Sequence, residues 1–175
     1  MRFDKPIGIL LLLWPTYWAL WLCNSKHPSL KIFIIFSLGV ILTRAAGCII
    51  NDIADRNFDG HVARTKHRPI ANGSIKIKPA LILFCSLMCI AFCMVLLLNT
   101  YTIGLACIAA LLATSYPFMK RFFHMPQAVL GLAFAWSIPM AYAASNNHIP
   151  PIAILLFIAT AIWIIAYDTE YALAD

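Results

Sequence analysis

The chain has 175 residues, of which 62% are hydrophobic and 11% charged. A soluble domain carries about 25% charged residues, so this composition, with a mean hydropathy of +0.84, excludes an ordinary soluble protein. The net charge of +6 does not point to nucleic acid either, because the basic residues follow the breaks between apolar segments and are interleaved with acids.

A helix needs about 20 apolar residues to cross the hydrocarbon core. On that measure the sequence predicts spans at roughly 6–23, 30–50, 79–98, 101–118, 127–145 and 150–167. Span one contains Trp14-Pro15, tolerable in a membrane helix whose neighbours satisfy the freed carbonyl. Asn24 to Ser29, with Lys26, His27 and Pro28, breaks the chain before span two. The one long polar stretch, Asn51 to Lys78, separates spans two and three. Asn99-Thr100 is a minimal turn, Pro117 to Pro126 surrounds Lys120-Arg121, and Ser145 to Pro151 holds two Asn and two Pro. The expectation is one transmembrane helical domain over residues 1–175, incomplete at its C-terminus.

The six cysteines lie in or beside apolar runs, and Cys85, Cys89 and Cys93 recur every four residues along one helix face. Their neighbours are Leu, Met, Ile and Phe, so the expected role is packing rather than metal binding. His61, His67 and His124 lack metal-ligand spacing and read as ordinary loop residues.

Six spans place the N-terminus, the 51–78 loop, the 118–126 loop and the C-terminus on one side. That side carries ten Lys and Arg, the other only Lys26 and Lys31, and Arg44 falls inside span two. The basic side is expected to be cytoplasmic. All seven acids fall there too, six of them in two short segments at the ends of spans. Solubility does not require that arrangement.

The first segment runs from Asn51 to Asp59. If span two continues as helix, Asn51, Asp55 and Asp59 fall at i, i+4 and i+8 on one face. Two carboxylates and an amide oxygen are hard oxygen donors, suited to Mg²⁺ shared with substrate phosphates. The second segment runs from Tyr167 to Asp175, with Asp168 and Asp175 at i, i+7. Two acidic helix ends at one membrane face could hold metal between them. Between the segments, Arg64, Lys66 and Arg68 can neutralise a diphosphate. Arg44 is a charge within a span, a candidate functional residue by its position. It lies seven residues before Asn51 on the same helix face, with snorkelling to the interface as the plainer reading.

These residues resemble the intramembrane aromatic prenyltransferases. Asn51-Asp52-x-x-Asp55-x-x-x-Asp59 matches the family's first motif in full, and Tyr167-Asp168-Thr169-x-Tyr171-Ala172 begins the second. Asp4-Lys5-Pro6-Ile7-Gly8, Trp14-Pro15-Thr16, Asp59-Gly60-His61-Val62-x-Arg64-Thr65 and Ser115 to Arg121 extend the likeness along the chain. The resemblance implies about six transmembrane helices of a roughly nine-helix all-α bundle, in a bacterial inner membrane. It implies Mg²⁺-dependent transfer of a polyprenyl group from polyprenyl diphosphate to 4-hydroxybenzoate, ortho to the phenol hydroxyl, in ubiquinone synthesis. On that basis Asn51, Asp55, Asp59, Asp168 and Asp175 are the implied metal site, with Asp55, Asp59 and Asp175 counted as catalytic. Arg44, Arg64, Lys66, Arg68 and Lys120 are the implied diphosphate partners, and Arg121 the catalytic and acceptor-binding cation, its planar fork matched to a carboxylate. Another aromatic acceptor, or an inactive shortened form, are the alternatives. A metal-ion transporter would place acids near mid-membrane, whereas these stand at helix ends.

Overall fold

The structure, a computed structural model, describes residues 6–24, 27–59, 65, 67–119 and 122–173, without the side chains of 57–59. Seven helices follow one another: α1 (Ile7–Leu22), α2 (Leu30–Asp59), α3 (Ile77–Val95), α4 (Thr100–Met119), α5 (Pro126–Ala135), α6 (Ser137–Asn146) and α7 (Pro151–Leu173). The all-helical membrane architecture stands as expected. Four single helices and the α5–α6 pair are long and apolar enough to cross a membrane, while α1 is shorter at 16 residues.

Three details differ from the sequence reading. Helix α2 runs to Asp59 rather than stopping near residue 50. Nothing between Ile50 and Gly60 breaks a helix, so the polar motif simply continues the span. Helix α7 likewise runs on to Leu173. The fifth span is two helices broken at Trp136. Pro139 lacks the N–H that would bond the Ala135 carbonyl, which breaks the helical ladder at this place.

Small residues set the helix contacts, as expected where lipid offers no hydrophobic drive for association. Ala19, Ala135, Ala141, Ala143 and Ala153 are fully buried. At Gly131 on α5, an added Cβ would stand 2.7 Å from the Ala161 carbonyl oxygen on α7. We predict that Gly131→Val lowers stability by about 1–3 kcal/mol, read as a lower melting temperature in detergent. Gly104→Ala, which meets nothing within 4 Å, should leave that temperature unchanged.

The membrane end away from the acids is tied by side chains. Asn99 Nδ2 donates to the Ala143 carbonyl at 2.7 Å, Asn146 Nδ2 to the Cys23 carbonyl at 2.9 Å, and Lys31 Nζ to the Leu97 carbonyl at 2.8 Å. A core of Ala19, Leu20, Phe36, Ile138, Tyr142 and Ala153 packs α1, α2, α6 and α7 together. Cys85, Cys89 and Cys93 are exposed on α3 rather than packed inside. In a bilayer an outward-facing apolar stripe needs no protein partner, so the expectation of packing fails for a physical reason.

Candidate active site

All seven helices contribute walls to a cavity of about 730 Å³, within the range of ligand-binding pockets. One end is polar and is lined by Asn51, Arg68, Tyr116, Gln127, Asp168 and Thr169. The walls elsewhere are apolar, with Ile35, Val40, Phe92, Leu98, Leu130 and Met140 among them. Antiparallel threading produces this polarity. The C-terminal parts of α2, α4 and α7 and the N-terminal parts of α1 and α5 meet at one end, and each contributes a polar residue or an open backbone.

Asn51 and Asp55 are half-buried on α2, one turn apart, and Asp168 is half-buried on α7. The Tyr116 hydroxyl on α4 lies within electrostatic reach of the Asp168 and Asp55 carboxylates and the Arg44 guanidinium. Asn51 of the first motif and Asp168 of the second therefore line one cavity, with Tyr116 on the same wall. Asp59 ends α2, with its side chain outside the described residues. Arg64, Lys66, Lys120, Arg121 and Asp175 also lie outside them.

Asn51, Asp55 and Asp168 are a hard oxygen set, which fits Mg²⁺ better than a softer metal. Among the described residues, no three His, Cys, Asp or Glu side chains converge on one point. A divalent ion here would share its coordination with phosphate oxygens and water, the usual mode for Mg²⁺.

Arg44 finds its partners inside the bundle. Its Nε donates to the Gly8 carbonyl of α1 at 3.3 Å, and its Nη1 to Cys48 Sγ at 3.3 Å. Its guanidinium carbon stands 5.8 Å from the centroid of Phe134 on α5, a cation–π distance. Gly8 is what permits this approach, since a Cβ there would come within 2.6 Å of Arg44 Nη2. The guanidinium thus stands on the cavity wall beside the Phe134 ring, one helical turn or more from Asn51 along α2.

Residues 67–75 fold back over the end of α2. Ile70 packs on Ile49, Ile53 and Ala80, Thr65 is buried, and Arg68 Nη1 lies 3.3 Å from Asp52 Oδ1. Sequence reasoning counted Asp52 among the acids without a role. It also missed Tyr116, Gln127, Thr169 and Gly8 as site residues. A tyrosine at the polar end of a span was the available signal for Tyr116; Gly8 gave none.

Comparison with known proteins agrees with this arrangement. The chain is 57% identical over all 175 residues to the 4-hydroxybenzoate octaprenyltransferase of Coxiella burnetii (strain CbuK_Q154), and it covers 61% of that protein. It is 58% identical over 174 residues to the enzyme of that name from Aeromonas hydrophila, again covering 61%. The chain therefore spans about three-fifths of the length of these curated relatives. A UbiA homologue from Aeropyrum pernix K1 superposes with a TM-score of 0.83 at 26% identity, covering 100% of this chain and 65% of that one. A homologue from Archaeoglobus fulgidus, solved bound to DMAPP and Mg²⁺, superposes with a TM-score of 0.78 at 17% identity, over 91% of this chain and 59% of that one. Residues 12–175 match the UbiA prenyltransferase family, and with the fold and both acidic motifs in place, the chain belongs to that family.

Proposed function

We propose that the protein to which this chain belongs transfers a polyprenyl group from polyprenyl diphosphate to 4-hydroxybenzoate, with Mg²⁺ as its cofactor, in ubiquinone synthesis. The observation that carries the reading is that Asn51 on α2 and Asp168 on α7 line the polar end of one apolar cavity, with Asp55 one turn beyond Asn51 on α2. Such a cavity accepts a charged head at one end and a hydrocarbon tail along its length. The relatives at 57% and 58% identity carry the name of this reaction, which favours 4-hydroxybenzoate over another aromatic acceptor. The Mg²⁺ bound by the Archaeoglobus fulgidus homologue supports the choice of ion.

In this reading Asn51, Asp55 and Asp168 hold the ion, together with Asp59 and Asp175 of the same motifs. Bound Mg²⁺ supplies positive charge against the phosphate oxygens of the leaving group. Arg68, with Arg64, Lys66 and Lys120, adds cations on the same oxygens. As the allylic C–O bond breaks, its electron pair leaves with the diphosphate. The ring carbon ortho to the phenol oxygen then forms the new C–C bond to the allylic carbon. The proton on that ring carbon passes to an oxygen at the polar end. Apolar walls exclude water from the allylic cation, which would otherwise be hydrolysed.

The acceptor's carboxylate needs a cation beside the allylic carbon, inward of the diphosphate. Arg121 was the sequence candidate. The guanidinium of Arg44 stands on the cavity wall beside the Phe134 ring, which favours giving it the aromatic acceptor's anion rather than the diphosphate. Ten basic residues on the side of the acidic motifs against two on the other support a cytoplasm-facing site in an inner membrane.

The reading is tested with membranes containing the full-length protein, polyprenyl diphosphate, 4-hydroxybenzoate and Mg²⁺. Prenylated 4-hydroxybenzoate should form, and chelation of the divalent ion should stop it. Absence of that product with Mg²⁺ present would sink the reading.

A further inference from the structure

Asp52 stands beside the metal motif but is engaged elsewhere. Its residue is 9% exposed, and its carboxylate meets Arg68 Nη1 at 3.3 Å, with both side chains mostly shielded from water. Arg68 in turn lines the cavity. It belongs to a loop that turns back on itself, with Arg68 N donating to the Thr65 carbonyl at 2.9 Å and Asn72 N to the Arg68 carbonyl at 2.9 Å. Ile70, two residues on, is packed against α2 and α3.

Among the described residues, an apolar attachment through Ile70 and an ionic one through Arg68 tie the loop to α2. Only the ionic one involves a side chain that reaches the cavity. A guanidinium has five N–H donors in a rigid plane, so its Nη1 contact with Asp52 does not by itself exhaust its capacity for an anion.

From this geometry we infer that Asp52 is a positioning residue: it clasps Arg68 and so holds the loop of residues 67–75 across the cavity mouth with a guanidinium aimed at the substrate's diphosphate. The inference rests on the prenyl-transfer reading above. It makes Asp52 distinct from Asn51 and Asp55, its neighbours in the same motif. Their part is toward the ion, and that of Asp52 is toward the loop.

The test uses the full-length protein with Asp52→Asn, Asp52→Glu, Arg68→Ala and the Asp52→Asn/Arg68→Ala pair. Asp52→Asn should raise the KM for polyprenyl diphosphate about tenfold, the size of one charge-assisted contact. The KM for 4-hydroxybenzoate and the Mg²⁺ concentration for half-maximal rate should stay within about twofold. Asp52→Glu, which keeps the charge, should recover most of the affinity. Adding Asp52→Asn to Arg68→Ala should change little more, because the two act as one unit.

A second measurement needs no turnover. With Ser74→Cys placed in the exposed part of the loop, maleimide labelling in detergent should be faster in the Asp52→Asn background. Inorganic diphosphate with Mg²⁺ should slow labelling in the parent and not in the variant. Multiplying effects in the double variant, or a raised Mg²⁺ requirement with unchanged labelling, would overturn the clasp, the latter by making Asp52 a metal ligand. A parent that makes no prenylated 4-hydroxybenzoate overturns the prenyl-transfer reading instead, and the labelling still decides whether Asp52 holds the loop.

Discussion

Asp55→Ala in the full-length protein is expected to lower the rate of prenyl transfer about a thousandfold, on the order of 4 kcal/mol of transition-state stabilisation. The size follows from where Asp55 stands. It is one turn beyond Asn51 on α2, half-buried, next to the polar end of the cavity that Asn51 and Asp168 line. Removing it takes one anionic oxygen donor from the α2 side of the proposed ion site and leaves the negative diphosphate with weaker compensation as the C–O bond breaks. Fold should survive, because Asp55 is half-buried at a helix end and not in either apolar cluster. The rate, the Mg²⁺ dependence and the melting temperature are measured on the same preparation. Full activity in Asp55→Ala would refute the site, and a collapsed melting temperature would show Asp55 to be structural. Asp55→Asn should fall between, with a raised Mg²⁺ requirement, since an amide oxygen is a weaker ligand than a carboxylate.

Much of this site was legible in the sequence, for identifiable reasons. Spacing of four between Asn51, Asp55 and Asp59 reads as one face only if the helix persists, and nothing before Gly60 breaks it. The pairing of two acidic helix ends followed from counting spans, because an even number of crossings returns both to one side. Pro139 is the local signal that span five is not one straight helix, because it lacks the N–H for the Ala135 carbonyl. Other features depend on tertiary approach and leave no local trace. Gly8 looks like any glycine in an apolar run, and only the position of Arg44 on a neighbouring helix gives it meaning. The same holds for Gly131 against Ala161. Asp52 was hidden by its own motif: it falls off the face shared by Asn51, Asp55 and Asp59, so spacing gave it no role, and only the returning loop supplies one. The cysteines on α3 misled in the opposite direction, because regular spacing on an apolar helix suggests a packed face in water but only a lipid-facing one in a bilayer.

The second large effect is expected at Arg44, and it separates two assignments of one cation. If Arg44 bound the diphosphate, as its place on the motif face first suggested, Arg44→Lys would weaken the prenyl substrate. Its observed position argues otherwise. The guanidinium is held by the Gly8 carbonyl, Cys48 Sγ and the Phe134 ring, on a cavity wall where an aromatic acceptor would meet both a ring and a planar cation. Lysine keeps the charge but loses the planar fork that matches a carboxylate and the stacking on Phe134. Arg44→Lys should therefore raise the KM for 4-hydroxybenzoate by at least about tenfold and leave the KM for polyprenyl diphosphate within about twofold. Arg44→Ala should cost more in the same direction. Gly8→Val offers an independent check without touching the charge. Its Cβ would fall 2.6 Å from Arg44 Nη2, and because a guanidinium is the far end of a flexible side chain, the arginine moves before the helix does. Gly8→Val should reproduce the selective loss of acceptor affinity. A rise in the KM for polyprenyl diphosphate in both variants would return Arg44 to the diphosphate and leave Arg121 as the acceptor's cation.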